Sequence, residues 1–201
     1  MLIIGMTGGI GSGKSEALKI FASLNIKIID LDKISKEITD TNHEAIEEIK
    51  FIFGNTLFDK DNRLDRKKLR EIIFSDKDKK INLEKILHPK ILKEVKKKLN
   101  TLLSEPYVVI DIPLLFETNQ YKSLISRSLV IDCEINNQIE RVKKRDSIST
   151  SSIQNIIDQQ IDRDSRIRMG DDVVINDGSL EKFSKDIHIL HKKYLNLVAV
   201  K

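Results

Sequence analysis

Apolar residues in this chain come in short dense runs, separated by longer stretches whose apolar positions recur every three or four residues. Five runs show no alternation and read as strands buried on both faces of a parallel sheet: Leu2 to Gly5, Ile26 to Ile29, Tyr107 to Ile110, Leu129 to Ile131 and Val173 to Ile175. After the first run, Ala17, Leu18, Phe21 and Leu24 recur at helical spacing within the stretch from Glu16 to Leu24. Strand and helix in alternation predict an α/β, doubly wound sheet. Ligands of such sheets bind beyond the carboxyl ends of the strands. The polar residues there therefore matter most: the loop from Gly8, then Asp30 and Asp32, then Asp111.

Two intervals are too long for a simple crossover. The first, between the second and third strands, holds roughly 75 residues. It is helical and polar, with one amphipathic helix carrying Leu69, Ile72, Ile73 and Phe74 and another carrying Ile91, Leu92, Val95, Leu99, Leu102 and Leu103. His88-Pro89 interrupts it, and the proline fixes the chain direction there. Such an insert suits an acceptor-substrate domain; the alternative is a structural elaboration. The second interval follows the fourth strand. Asn136 is placed to cap a helix bearing Arg141 and Arg145 on one face. A hydroxyl-rich hinge from Ser147 to Ser152 comes next, with Ser151 and Gln154 fitting a capping box. The following helix carries Ile153, Ile156, Ile157 and Ile161 on one face and Gln159, Arg163 and Arg166 on another. Two arginine-bearing helices on a hinge read as a lid over phosphates that excludes water; the alternative is a set of surface ion pairs of little energetic weight.

Composition narrows the classes. With 201 residues, 40% hydrophobic and 33% charged, the chain suits one globular domain. Its net charge of +4 would suit nucleic acid. The lysines are scattered, however, and no nucleic-acid motif or aromatic platform is present. No apolar run approaches the ~20 residues needed to span a bilayer. The sequence runs straight into its first strand, with no room for a cleavable signal, so a cytoplasmic location is expected. Cys133 is the only cysteine and is expected in a partly buried packing role. No Cys/His spacing suits zinc.

The chemistry is concentrated in Gly8-Gly9-Ile10-Gly11-Ser12-Gly13-Lys14-Ser15, which fits the phosphate-binding pattern G-x-x-x-x-G-K-[ST] between a strand and a helix. Its glycines let successive N–H groups turn inward toward phosphate oxygens, and the helix N-terminus adds attraction. Lys14 is expected to bridge the terminal phosphates and the Ser15 hydroxyl to ligate Mg2+. Beside this loop, Asp32 is the candidate for orienting and deprotonating an acceptor hydroxyl, or for capping the next helix. Asp30 is a candidate for supporting the loop or the metal shell, or for that same cap. Asp111, after an apolar strand, suits magnesium through water or a purely structural part in the loop. His88 is a candidate for facing an anionic substrate, or a structural histidine.

These pieces, with Ile29-Asp30-Leu31-Asp32, Leu64-Asp65-Arg66-Lys67-Lys68-Leu69-Arg70 with Phe74, Leu87-His88-Pro89-Lys90-Ile91, Pro113-Leu114-Leu115-Phe116-Glu117, Arg141, Arg145-Asp146, Gln160, Arg163, Arg166, Asp171-Asp172-Val173 and Asn176-Asp177-Gly178, resemble the dephospho-CoA kinase family over nearly the whole chain. The phosphate loop is shared by many enzymes; the His-Pro and Pro-Leu-Leu-Phe-Glu segments are far more specific. The resemblance implies a P-loop kinase fold: a five-stranded parallel sheet flanked by helices (1–31, 105–135 and 170–201), a helical acceptor-binding insert (32–104) and a helical lid (136–169). It implies phosphorylation of the dephospho-CoA ribose 3′-hydroxyl by ATP with Mg2+, and no nucleic-acid, membrane or obligate protein partner. Asp32 would then be the base, with Lys14, Arg141 and Arg163 stabilising transferred charge. Residues from Gly11 to Glu16 would hold ATP phosphates, and Asn176 and Gly178 would lie near adenine. His88, Pro113 and Leu114 would lie on the acceptor side, and Ser15, Asp32 and Asp111 near the metal. Glu16 departs from the family's usual Thr, which puts that side chain's contact near the α-phosphate in doubt but leaves its backbone N–H; Leu31 and Lys36 depart from the usual Ala and from a frequent Arg or His. A nucleoside monophosphate kinase is disfavoured by the His-Pro insert and the D-x-D. A GTPase switch is disfavoured by the missing Asn-Lys-x-Asp motif.

Overall fold

The computed structural model describes residues 1–118 and 120–199, with the backbone alone at Phe74, so the expected apolar part of that side chain lies outside what is described. The five apolar runs are the five strands: β1 (Leu2–Thr7), β2 (Lys27–Asp30), β3 (Tyr107–Asp111), β4 (Arg127–Asp132) and β5 (Asp172–Ile175). They form one sheet in the order β2-β3-β1-β4-β5. β1 runs parallel to β3 on one side and to β4 on the other, and β5 runs parallel to β4. The chain divides into two compact units, Met1–Ile29 with Leu102–Lys201, and Asp30–Thr101.

In the first unit, Ile4 and Met6 of β1, Tyr107 and Val109 of β3, and Leu129 and Ile131 of β4 share one cluster with α1 (Lys14–Ser23) and α9 (Leu180–Ala199), through Ala17, Phe21, Phe183, Ile187 and Tyr194. The period of two sends Val108, Ile110 and Val130 to the opposite face, and these are buried as well. Cover on both faces is why the runs do not alternate. Each such side chain contributes about 1.5–3 kcal/mol on burial. At the start of β5, the Asp172 carboxylate accepts hydrogen bonds from Arg127, Lys193 and Tyr194.

The stretch after β4 folds as three helices rather than two: α6 (Ile135–Asp146), α7 (Thr150–Asp158) and α8 (Arg163–Met169). Asn136 does not cap α6, which begins one residue before it; instead Asp177 accepts from the Glu134 N–H and from Asn137 Nδ2, both at 2.8 Å. Ser149, not Ser151, caps α7, accepting from the Ser152 N–H, while Gln154 donates to Asp158. The apolar stripe outruns its helix. Ile161 and the arginines lie past a break at Gln159, and Asp162 restarts the chain by accepting from the Ser165 N–H.

The second unit contains α2 (Leu31–Thr41), α3 (His43–Phe53), α4 (Arg66–Ser75) and α5 (Lys77–Asn100), with a 3₁₀ turn at Asn55–Leu57. Asp30, Asn42, Asp65 and Asp76 cap the four helices in turn, each side chain accepting from an N–H two or three residues on. α5 touches α2, α3 and α4. Pro89 does not interrupt it, contrary to the sequence expectation. An interior proline costs about 3 kcal/mol. Burial of Leu83, Ile86, Leu87, Ile91, Val95 and Leu99, at about 1.5–3 kcal/mol each, outweighs it. The helix ends at Asn100, so Leu102 and Leu103 fall outside it, and Leu103 is exposed.

Candidate active site

β1 delivers the chain to Gly8 and α1 begins at Lys14, so the glycine loop sits between a buried strand and a helix N-terminus. Gly13 occupies the N-cap position at φ 102°, with no side chain capping the first turn of α1. Gly11, at φ 72°, shares the left-handed region. A Cβ on Gly13 would lie 2.1 Å from Asn176 Nδ2, and one on Gly11 would lie 2.7 Å from the Gln138 carbonyl oxygen. These two glycines are therefore required by conformation and by space.

The loop is held from several sides. Asn176 Nδ2 donates to the Ser12 carbonyl at 2.8 Å. Arg141 Nη2 donates to the Asn176 carbonyl at 2.7 Å, and its Nη1 reaches the carbonyls of Gly11 and Ser12 at 3.4 and 3.5 Å. Lys14 Nζ donates to the Gly8 carbonyl at 2.9 Å, and the Ile10 N–H donates to Gln160 Oε1 at 3.0 Å. Ser12 Oγ is buried with no hydrogen-bond partner among the described residues. Cys133 is fully rather than partly buried, its Sγ 3.8 Å from the Gly11 carbonyl oxygen, and burial pushes its thiol pKa up to about 11.

Register places further polar groups on the same edge of the sheet. Asp111 pairs with Met6 across the β1–β3 ladder, and Asp132 pairs with Ile175, next to Asn176, across β4–β5. Asp132 and the clamping side chain of Asn176 were not singled out from the apolar pattern, although the carboxyl-end rule that selected Asp111 covers both. Asp132 is only 1% exposed, and its Oδ2 accepts from Arg163 Nε and Nη2 at 2.9 and 2.8 Å. Arg163 Nη1 meets Glu134 at 2.8 Å. The hydrogen bond that Arg163 donates to Asp132, more than any other contact, raises the Arg163 pKa.

The other residues named from sequence have definite places. Asp30 is the N-cap of α2, accepting from the Lys33 N–H at 2.9 Å, so the capping alternative holds for it. Asp32 is exposed in the first turn of that helix. His88 lies within α5, where burial lowers its pKa and Glu84 acts the other way. The Pro113 carbonyl accepts from Thr7 Oγ1 at 3.1 Å, and Leu114 is exposed. Ser15 is exposed in the first turn of α1, where Glu16 pairs with Lys19 and gives its N–H to the Gly13 carbonyl. Gly178 lies in the exposed turn before α9, and Arg145 pairs with its neighbour Asp146. Lys14, Asp111, Arg141, Arg163 and Asn176 belong to the first unit, Asp32 and His88 to the second.

The family model described as dephospho-CoA kinase matches residues 2–182. The chain belongs to the dephospho-CoA kinase family. A dephospho-CoA kinase of Coxiella burnetii is 42% identical over 197 residues, covering 98% of each chain. Among solved structures, a Thermus thermophilus protein matches with a TM-score of 0.83 at 29% identity, and the dephospho-CoA kinase of Campylobacter jejuni with 0.73 at 30%; each comparison covers 96% of this chain and 97% of the other. The fold is that of the family: a P-loop kinase sheet, five strands, all parallel in the ladders described. No helix among the described residues is long and apolar enough to cross a membrane.

Proposed function

We propose that this member of the family transfers the γ-phosphoryl group of ATP to the ribose 3′-hydroxyl of dephospho-CoA, giving coenzyme A and ADP, in the cytoplasm. The observation that carries this reading is the glycine loop fixed at the N-terminus of α1, in a chain whose family is that of dephospho-CoA kinases. The loop amides and Lys14 suit the ATP phosphates, with the helix dipole adding attraction. Asp32 is the proposed base. As the hydroxyl oxygen bonds to the γ-phosphorus and the bond to the β–γ bridging oxygen breaks, the hydroxyl proton passes to the Asp32 carboxylate and the electron pair leaves with ADP. His88, Pro113 and Leu114 are assigned to the acceptor side, and Asn176 with Gly178 to the adenine side.

The donor set fits magnesium. No group of three His, Cys, Asp or Glu able to hold an ion occurs among the described residues. Magnesium instead favours one or two carboxylates with water and substrate phosphates. Ser15, Asp111 and Asp32 are the oxygen ligands proposed for it, directly or through water, and its contribution when bound is to neutralise phosphate charge.

The test is ADP release with magnesium and ATP, with and without dephospho-CoA, together with the mass of the product. Acceptor-dependent ADP and a product heavier by one phosphoryl group support the reading. Slow, acceptor-independent ADP formation would replace it with a nucleotide-dependent switch.

A further inference from the structure

α8 carries two arginines toward the phosphate loop's side of the first unit, and their surroundings differ in kind. Arg163 is saturated with negative charge: its Nε–Nη2 edge is held by Asp132 and its Nη1 meets Glu134. One cation held by two carboxylates has little attraction left for a phosphate. Arg166 is the reverse. It is 5% exposed, and its hydrogen bond among the described residues runs from Nη2 to the Ile161 carbonyl at 2.6 Å. It forms no salt bridge with a carboxylate among the described residues. A buried guanidinium without a directly bonded counter-charge is expensive, so proteins bury charges in pairs or at ligands.

The phosphate loop accommodates this guanidinium. A Cβ on Gly9 would lie 2.9 Å from Arg166 Nη1 and 2.9 Å from Gln138 Oε1. Gly9 is a free position in the G-x-x-x-x-G-K pattern, and its φ is not in the left-handed region. The space a side chain would need there is taken jointly by Arg166 and Gln138. The adjacent amide, that of Ile10, is given to Gln160, three residues before the same short helix. Burial lowers the Arg166 pKa, and Glu117, Asp132 and Asp162 oppose this only through space.

We propose that Arg166, rather than Arg163, is the α8 residue whose guanidinium contacts the transferring phosphoryl group, and that Arg163 is a positioning residue holding α8 to the end of β4. This rests on the phosphoryl-transfer reading above. A triphosphate would supply the directly bonded anion that Arg166 does not find among the described carboxylates, next to Gly9 of the loop.

The experiment uses the full chain with magnesium, ATP and dephospho-CoA, comparing wild type with Arg166→Ala, Arg166→Lys and Arg163→Ala. Loss of one aimed charge-stabilising donor typically lowers kcat by roughly 10²–10³-fold. Arg166→Ala is expected to show that loss, with activity partly restored by added guanidinium ion, and Arg166→Lys to fall between. Arg163→Ala is expected to lower the melting temperature and to show no guanidinium rescue. The proposal is overturned if Arg166→Ala stays within about threefold of wild type, or if guanidinium rescues Arg163→Ala and not Arg166→Ala. Should Arg166→Ala fail to fold, arginine Nε resonances of the wild-type protein decide. A non-hydrolysable ATP analogue must move the Arg166 signal more than ADP does; movement of Arg163 alone overturns the proposal. Wild-type protein that makes no acceptor-dependent ADP would sink the kinase reading separately, while the titration still reports whether Arg166 meets phosphate.

Discussion

Replacing Asp132 by Asn leaves the volume at the end of β4 nearly unchanged and removes one charge. The carboxylate lost is 1% exposed and accepts from Arg163 Nη2 at 2.8 Å and from Nε at 2.9 and 3.2 Å. Breaking a fully buried ion pair costs about 3–5 kcal/mol, whereas an exposed pair is worth about 0–1 kcal/mol. The Arg163 side chain is 23% exposed and keeps Glu134, so it recovers part of its solvation and part of its pairing. The expected destabilisation is therefore about 2–3 kcal/mol, below the fully buried limit. For a chain of this size that is a fall of about 4–12 °C in melting temperature. Glu134→Gln, at a side chain 61% exposed, should cost less than about 1 kcal/mol. Thermal or urea unfolding of single and double variants with Arg163→Gln gives the coupling energies directly. If the Asp132–Arg163 coupling is no larger than that of Glu134–Arg163, burial does not set the strength of this clamp, and the argument that Arg163 anchors α8 fails.

Other substitutions test other parts of the structure. Asp32→Asn should leave ATP binding nearly intact and lower turnover by roughly 10²–10⁴-fold; near-normal kcat would remove Asp32 from the reaction. Gly13→Ala places a methyl 2.1 Å from Asn176 Nδ2 and a side chain at φ 102°. Left-handed strain of about 1–2 kcal/mol and the broken Asn176 hydrogen bond, about 1–3 kcal/mol, should lower the melting temperature and abolish tight binding of an ATP analogue. Unchanged affinity in a calorimetric titration would refute the clamp. At Asp172, burial pushes the carboxyl pKa up, but hydrogen bonds from Arg127, Lys193 and Tyr194 outweigh it and the net shift is downward. A depressed folded-state pKa stabilises above the unfolded value, about 3.9, and that stability is lost as pH falls through the folded pKa. Asp172→Asn should accordingly be less stable than wild type at pH 7, with the gap closing below about pH 4 in acid unfolding curves; a gap independent of pH would contradict the assignment.

The strands were legible because burial on both faces writes itself as uninterrupted apolar runs, and the phosphate loop because its geometry demands glycines at fixed offsets. The boundaries around α7 and α8 were not. Ile161 continues the isoleucine stripe at helical spacing even though the chain turns at Gln159, and a local period carries no record of a cap at Asp162 that restarts it. Ser149 and Ser151 are chemically equivalent caps until the backbone selects one. Pro89 obeyed a local rule that packing along α5 overrode. Asp132 escaped notice because it ends a strand and its partner lies in α8, and no local pattern marks a carboxylate for an arginine thirty-one residues away.

The clamp of Asn176 on Ser12 also bears on how the chain is made. β1 carries the phosphate loop, yet its strand neighbours begin at Tyr107 and Arg127, after the whole of the Asp30–Thr101 unit. Parallel pairing across such separations is slow, and an unpaired apolar strand is exposed to association with other chains while it waits. During synthesis the complete G-x-x-x-x-G-K-[ST] segment leaves the ribosome well before the side chains that hold its backbone in shape (Arg141, Gln160 and finally Asn176). A nascent chain stalled before Asn176 would carry the entire phosphate-binding motif without its clamp, so the capacity to hold nucleotide is acquired near the end of translation rather than at its start.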